Sequence, residues 1–574
     1  MPDKALAAIL ASLSLLTRFA FLNYPREVVF DEYHFGKFVN GYIKGEYFFD
    51  IHPPLGKLVL ALSAWMGGYK GEQGWETIGE AIPPSVNLFS LRAAPALQGS
   101  LLAPLMYCCG RALGLSQPAA LLAAAGALFD ICCLVEQRLV LTDATLLIGI
   151  VLQLFGTFSS DHHVPLSRGW FWSTSTAGIG IALAISTKWT GASTIVVAGI
   201  HSLLSLVHGR FSRRERLVLL FKEALMRAAL LLIAPLATYV LCGWIHLALL
   251  PNTGPGAKFM TPRFRASLRP SPNMTAAFFN FSAKSDPAAL PSFMDKFIEL
   301  NREMYRANSS IKKEHKWGSR WWEWPLMMRS VLYWTGKERP YIAPPLLPFA
   351  RIYCIGNPVV WWLAAAAPLI FAAMMFSRWL RRPAAAAPAD APAVGSAATG
   401  AASSKGNDGS GHSGEGETSQ GDEGGTGASS TLPPAASEAN AVRSSTGWLL
   451  LLGYVVNWLP FILISRVAFL YHFLPTLLHA LLLVGILLDL LIPATPLISD
   501  ARTPTDARLA ALVDPASSGA FADDVRAPDG ARWLAASACI AVMAASFGFF
   551  APLAYGTPMS TADFESRMWL ESWK

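Results

Sequence analysis

The sequence predicts an all-α membrane protein that crosses the bilayer about eleven times, and three observations carry that prediction. Of its 574 residues, 53% are hydrophobic and only 15% charged, a balance too apolar for a soluble chain of this length. Apolar stretches of roughly 20 residues, the length that crosses a hydrocarbon core, recur from one end to the other. Basic residues gather beside those stretches, so the formal net charge of +7 fits a membrane protein and argues against a nucleic-acid binder.

The expected spans are residues 5–22, 90–110, 117–135, 139–157, 169–187, 190–207, 226–250, 356–376, 448–465, 469–492 and 533–554. The first is followed directly by Asn23-Tyr24-Pro25 with no small-residue cleavage site, so it is expected to stay attached. An odd number of crossings puts the termini on opposite sides. Arg210, Arg213, Arg214, Arg216, Lys222 and Arg227 in one link, and Arg378, Arg381 and Arg382 after the eighth span, fall on one side by parity. Basic loops stay cytosolic. Residues 23–89, 251–355 and the C-terminal tail then face the lumen. Three N-x-[ST] sequons, at Asn273, Asn280 and Asn308, all fall in loop 251–355 and are candidate glycosylation sites on that side.

The chain thus divides into three parts. Residues 1–382 form a transmembrane region carrying both long lumenal loops. Residues 383–447 are dominated by Ala, Gly, Ser, Pro and Thr, too poor in large apolar side chains to offset the entropy of ordering, and read as a disordered cytosolic loop. Gly409-Ser-Gly411-His-Ser-Gly414 within it matches a phosphate-binding pattern but has no strand before it or helix after it, so the match is accidental. Residues 448–574 form a second transmembrane region with a cytosolic loop at 493–532 and a lumenal tail. The 7 cysteines lie in or beside apolar runs, with neither a disulfide framework nor zinc-ligand spacing. In loop 251–355, Phe293, Phe297, Leu300 and Met304 recur at helical spacing behind Ser292 and Asp295, which predicts a capped amphipathic helix on the membrane face. Trp317, Trp321, Trp322, Trp324 and Trp334 follow it as an interfacial belt.

The chemistry concentrates in the first lumenal loop. Asp31 and Glu32 sit just past the first span, and Asp50 and His52 follow. An acid at the membrane face can take a proton from a hydroxyl nucleophile, and cations stabilise a departing phosphate. An Asp-Glu pair taken alone reads as ordinary solvated acids beside a helix end. Arg18 lies inside the first span, Glu136, Arg138 and Asp143 lie between the third and fourth, and Lys188 lies between the fifth and sixth. Ionisable groups at membrane depth are costly, which makes them functional candidates; structural pairing is the alternative for Glu136 and Arg138, and snorkelling for Arg92. Tyr471-His472 opens the tenth span on the lumenal side, where it could line a cavity, whereas His162-His163 lies on the cytosolic side. No Asp-x-Asp occurs, so nothing suggests a nucleotide-sugar metal site, and no metal ligand set is assigned.

Val28-Val29-Phe30-Asp31-Glu32-Tyr33-His34-Phe35-Gly36 together with Phe48-Phe49-Asp50-Ile51-His52-Pro53-Pro54-Leu55-Gly56-Lys57 closely resembles the first lumenal loop of the protein O-mannosyltransferases. Supporting resemblances are Gln137-Arg138 to Leu141-Thr142-Asp143, Ser186-Thr187-Lys188-Trp189, Gly254-Pro255-Gly256, Gly356-Asn357-Pro358, Tyr471-His472-Phe473-Leu474-Pro475 and Met568-Trp569-Leu570. The resemblance implies a GT-C glycosyltransferase fold in the endoplasmic reticulum membrane. It implies inverting transfer of mannose from the donor dolichyl phosphate mannose to Ser/Thr hydroxyls of protein acceptors; no cofactor is assigned. It also implies Asp31 as base, Glu32 as a second catalytic residue that holds the acceptor or shapes the site, and a dimer of like or paralogous chains. Arg138, Lys188, Asp50, His52 and Arg18 are the candidates for holding donor phosphate or acceptor. Two departures stand out: between Leu268 and Pro291 there is no room for the β-trefoil MIR repeats that eukaryotic members usually carry, and Tyr471 stands where the family often has histidine. Two other readings remain open, a related polyprenyl-phosphate-sugar transferase and a transporter or inactive scaffold; the lack of an internal repeat argues against a transporter.

Overall fold

The structure, a computed structural model, describes residues 1–207, 216–270, 290–310, 315–336, 349–381, 434–464, 466–492 and 530–574. Residues 383–433 of the low-complexity loop, most of loop 493–532, and Asn273 and Asn280 lie outside the described residues. In chain order the helices are α1 (Asp3–Phe19), α2 (Glu32–Lys44), α3 (Leu55–Met66), α4 (Leu88–Ala112), α5 (Gln117–Leu128), α6 (Ile131–Glu136), α7 (Asp143–Ser160), α8 (Arg168–Thr187), α9 (Ser193–Val207), α10 (Arg216–Ala228), α11 (Ala234–Leu249), α12 (Pro262–Ala266), α13 (Phe293–Ser310), α14 (Pro358–Leu380), α15 (Pro434–Trp458), α16 (Leu474–Leu491), α17 (Gly530–Tyr555) and α18 (Thr561–Arg567). Helix α15 thus begins inside the stretch expected to be a disordered loop.

Each of the eleven expected spans falls on helix, and among the described residues seven helical stretches are long and apolar enough to cross a membrane: Asp143–Ser160, Trp189–Val207, Leu217–Leu249, Pro358–Leu380, Ser445–Leu463, Leu470–Leu491 and Gly530–Tyr555. Of the other four, α1 has 17 residues, α4 carries Arg92, Pro95, Pro104 and Arg111, and α8 begins with Arg168 and carries the polar run Ser173-Thr174-Ser175-Thr176. The expected span 117–135 is corrected: it is two helices broken at Phe129-Asp130. Asp130 caps α6 through the Cys133 N–H (2.8 Å) and also accepts from the Asn357 N–H (3.0 Å) and Trp361 Nε1 (2.7 Å), so one buried carboxylate stitches the break to the start of α14. The helices α7 and α8 form the tightest pair. A Cβ on Gly156 would stand 2.3 Å from the Ala177 nitrogen, and one on Gly149 2.8 Å from that of Ala184, so only glycine lets the two backbones approach this closely.

Both long loops gather at one end of the bundle. The Phe30 N–H donates to the Tyr333 carbonyl (3.0 Å) and the Tyr47 N–H to that of Asn252 (2.9 Å), which agrees with the shared side deduced from parity. The Gly254-Pro255-Gly256 motif has a local reason: a Cβ on Gly254 would lie 2.3 Å from the Tyr47 oxygen and one on Gly256 2.2 Å from the Phe49 nitrogen. The second loop adds a feature the all-α reading lacks, an antiparallel hairpin of β1 (Val331–Thr335) and β2 (Arg351–Cys354), bulged between Leu332 and Trp334. α13 carries the expected capping box, with Ser292 and Asp295 exchanging hydrogen bonds of 2.9 and 3.2 Å. Its Leu300 and Met304 pack on Tyr42, Phe48 and Phe264, so this face meets the first loop and not lipid alone. The tryptophan belt is likewise corrected in part: Trp324 and Trp334 are buried, and their indole nitrogens donate to Ser319 (2.9 Å) and Glu27 (2.9 Å).

Candidate active site

A cavity of about 780 Å³ opens where the two loops meet the bundle, lined by Asp31, Asp50, His52, Asp143, Lys188 and Arg466 among others. Asp31 stands immediately before α2. The chain reaches it through Phe30, which sits at φ +43°, a conformation side chains rarely adopt. Phe30 is held there by its backbone bond to Tyr333 and by stacking on the Tyr333 ring (centroids 3.9 Å, 9°), while the Tyr333 hydroxyl donates to Glu136. The Asp31 carboxyl makes no hydrogen bond or ion pair among the described residues. Burial pushes it up to about 7, with Lys188 opposing and Asp143 and Asp50 reinforcing the shift.

Across the cavity Lys188, at the C-cap of α8, pairs with both oxygens of Asp143 (2.7 and 2.8 Å) and lies over the Tyr471 ring (5.5 Å). Arg466 donates to Asn308 Oδ1 (3.0 Å). Each keeps further N–H donors for a ligand. Asp50 is also buried, but Lys57 at 2.5 Å and His52 outweigh the burial and hold its carboxyl below the usual range. Lys57 donates as well to the His52 and Pro53 carbonyls (2.7 and 3.0 Å), fixing the turn that presents the His52 ring. Burial holds His52 down to about 3, so its imidazole is neutral and offers hydrogen bonding without charge. A second cavity of about 710 Å³ shares His52, Lys188 and Arg466 with the first and continues between α9 and α15 along Val196, Leu463 and Ile464. An acid, a set of cations and an apolar groove therefore converge on one point.

A family model described as dolichyl-phosphate-mannose-protein mannosyltransferase matches residues 8–251, and one for the C-terminal four-transmembrane region of the same family matches 293–394 and 429–573. The chain belongs to the protein O-mannosyltransferase family. Among curated family members, dolichyl-phosphate-mannose–protein mannosyltransferase 4 of Candida albicans is 35% identical over 277 residues, 47% of this chain and 36% of that protein. Protein O-mannosyl-transferase 1 of Mus musculus is 34% identical over 267 residues, 45% of this chain and 35% of that one. The chain thus aligns with about a third of the length of these relatives. A chain of the S. cerevisiae protein O-mannosyltransferase Pmt1-Pmt2 complex bound to the sugar donor matches with a TM-score of 0.76 at 20% identity, covering 100% of this chain and 93% of that one. At that identity the likeness shows the fold, a polytopic helical architecture shared with this family.

Within this family fold, four of the candidates named from sequence (Asp31, Asp50, His52 and Lys188) come together in the cavity, and three do not. Arg18 is fully buried and donates to the Leu128 and Ala127 carbonyls at the C-terminus of α5 (2.9 and 3.0 Å) and to Gln137 (3.2 Å). Arg138 donates to the carbonyls of Thr17, Ala20 and Phe21 (3.2, 2.6 and 3.3 Å) at the end of α1 and lies over the Tyr555 ring (4.3 Å). Helix C-termini leave carbonyls unsatisfied and partly negative, which accounts for both guanidiniums without a ligand. Arg138→Ala is therefore expected to lower the unfolding temperature while leaving the KM for donor unchanged; a raised donor KM at unchanged stability would return Arg138 to the site. Glu32 is the third. Its oxygens accept from Arg92 Nε and NH2 (2.8 Å each) and from the Val29 and Val140 N–H groups (3.0 Å each), all away from the cavity. Arg92, expected to snorkel, is instead wholly buried in this pair.

Of the three sequon asparagines, Asn308 lies among the described residues, in α13. Its side-chain nitrogen, the atom that would carry the sugar, donates to the Ile51 carbonyl in the first long loop (2.8 Å) and to the Met304 carbonyl one turn back in α13 (3.0 Å). Arg466 escapes a reading by motif. A lone arginine between two apolar runs, five residues before Tyr471-His472, is the available signal. Asp143, Glu136 and Tyr471 line the cavity as well, and Tyr333 joins them from a strand no periodicity announces.

Proposed function

We propose that this chain transfers mannose from dolichyl phosphate mannose to Ser/Thr hydroxyls of proteins on the lumenal side of the endoplasmic reticulum membrane, working in a dimer with a paralogous or identical chain. The observation that carries the reading is the half-buried Asp31 carboxyl, without a partner among the described residues, facing Lys188 and Arg466 where the cavity opens into an apolar groove. Asp31 takes the proton of the acceptor hydroxyl, whose oxygen attacks the anomeric carbon from the face opposite the phosphate. The carbon–oxygen bond to phosphate breaks, and Lys188 and Arg466 stabilise the departing charge, with the neutral His52 ring adding a hydrogen bond. The groove along Val196, Leu463 and Ile464 takes the first units of the lipid. A solved family structure that is a complex of two named chains supports the dimer.

The deciding experiment incubates membranes containing the protein, alone and with a co-expressed paralogue, with dolichyl phosphate mannose and a Ser/Thr-rich peptide. Mannosyl-peptide is the expected product; none in either preparation, with the protein correctly inserted, would end the proposal. Because the base must be ionised and burial raises its pKa, kcat/KM is expected to fall as pH drops through about 7. A profile flat down to pH 5 would exclude Asp31 as the titrating group. Lys188→Ala and Arg466→Ala should each raise the donor KM at least tenfold with little change in acceptor KM, the loss of one charge-assisted contact being worth about 1.5–3 kcal/mol.

A further inference from the structure

Beneath the cavity two cysteines meet that the proposed chemistry does not use. Cys132 lies in α6, one turn before Glu136, and Cys354 ends β2, where it pairs with Val331 across the hairpin. Both are fully buried, neither is joined to another cysteine, and their sulfurs stand 2.9 Å apart although 222 positions separate them in sequence. Even two carbon atoms in contact rest about 3.5–4.0 Å apart, and sulfur is larger. The distance that remains to a disulfide bond is about 0.9 Å. The two residues bracket one contact: α6 ends in Glu136, which accepts from Tyr333, and Tyr333 lies on the strand paired with the one that Cys354 ends, stacking on Phe30 beside Asp31.

We propose that Cys132 and Cys354 are joined by a disulfide in the mature protein, clamping α6 to the hairpin that holds Phe30 and so positions Asp31. The inference rests on the lumenal placement of this face in the proposed function, because disulfides persist in oxidising compartments. The bond forms by exchange with a protein dithiol-disulfide oxidant of that compartment. Each cysteine gives up its proton, one sulfur–sulfur bond forms, and the oxidant's own disulfide takes the two electrons and two protons to become two thiols. The exchange precedes docking of the hairpin, since neither sulfur is reachable afterwards. For the same reason the finished bond resists reductant until the fold opens.

The test uses full-length protein in membranes from a host with an oxidising lumen, alkylated under denaturing, non-reducing conditions, digested and analysed by mass spectrometry. A peptide pair linked through Cys132 and Cys354 that separates on reduction is expected, with the neighbouring Cys133 alkylated. Recovery of Cys132 and Cys354 both as alkylated thiols would overturn the proposal. Cys132→Ser, Cys354→Ser and the double variant should lower the unfolding temperature by the same several degrees, because either change alone already removes the bond. Additive losses would mean two packed thiols. Mannosyl transfer measured on the same membranes separates the two readings: a linked but inactive protein leaves the clamp and refutes the transfer, and an active, unlinked one does the reverse.

Discussion

Asp31→Asn is expected to lower mannosyl transfer by at least about 10²–10⁴-fold while leaving the protein as stable as before or slightly more so. The two effects have opposite signs for one reason. The carboxylate has no hydrogen-bond or ion-pair partner among the described residues, and burial already disfavours its ionised form, as the upward displacement of its pKa to about 7 expresses. An amide of the same shape removes the base and costs the fold nothing. Peptide mannosylation rates and unfolding temperatures of the two proteins in the same detergent would decide it. Near-normal turnover in the variant would remove Asp31 from the base role, and a large loss of stability would show that the carboxylate holds a structural contact.

Arg92→Leu should be the most destabilising single change near the site, costing about 3–5 kcal/mol by leaving Glu32 as an uncompensated buried charge. Both members of this pair have 0% of their side-chain surface exposed, and the two backbone N–H groups that Glu32 also accepts carry no full charge, so among the described residues Arg92 is its counter-ion. Glu32→Leu combined with Arg92→Leu should recover part of that loss, because the orphaned charge is gone. Cellular abundance and unfolding temperature of the single and double variants measure this. If Glu32→Gln instead reached normal abundance and stability with transfer abolished, Glu32 would act on substrate and the structural assignment would be wrong.

These two neighbours show how far the residues alone can be read. Asp31 and Glu32 are adjacent acids of the same type, and sequence offers no way to separate them. A helix turns about 100° per residue, so the start of α2 aims one at the cavity and the other at α4. The basic candidates divide in the same way. Lys188 follows the last turn of α8 and reaches the cavity, whereas Arg18 and Arg138, equally plausible from sequence, are engaged by the carbonyls at the ends of α5 and α1. Arg466 stays hidden because a single arginine in a short link carries no pattern, and its role depends on three segments far apart in sequence.

What the sequence determined by itself was the class of molecule, a polytopic helical membrane protein whose long loops meet at one end, and the candidates Asp31, Asp50, His52 and Lys188 that the fold gathers in one cavity. Hydrophobic periodicity and charge placement are local properties, so they are legible without the fold. Tertiary structure alone decided which ionisable groups face the cavity, which helix is broken at Asp130, and that Cys132 meets Cys354. These are outcomes of packing between segments far apart in sequence, where burial and the nearest unsatisfied partner assign each polar group its role.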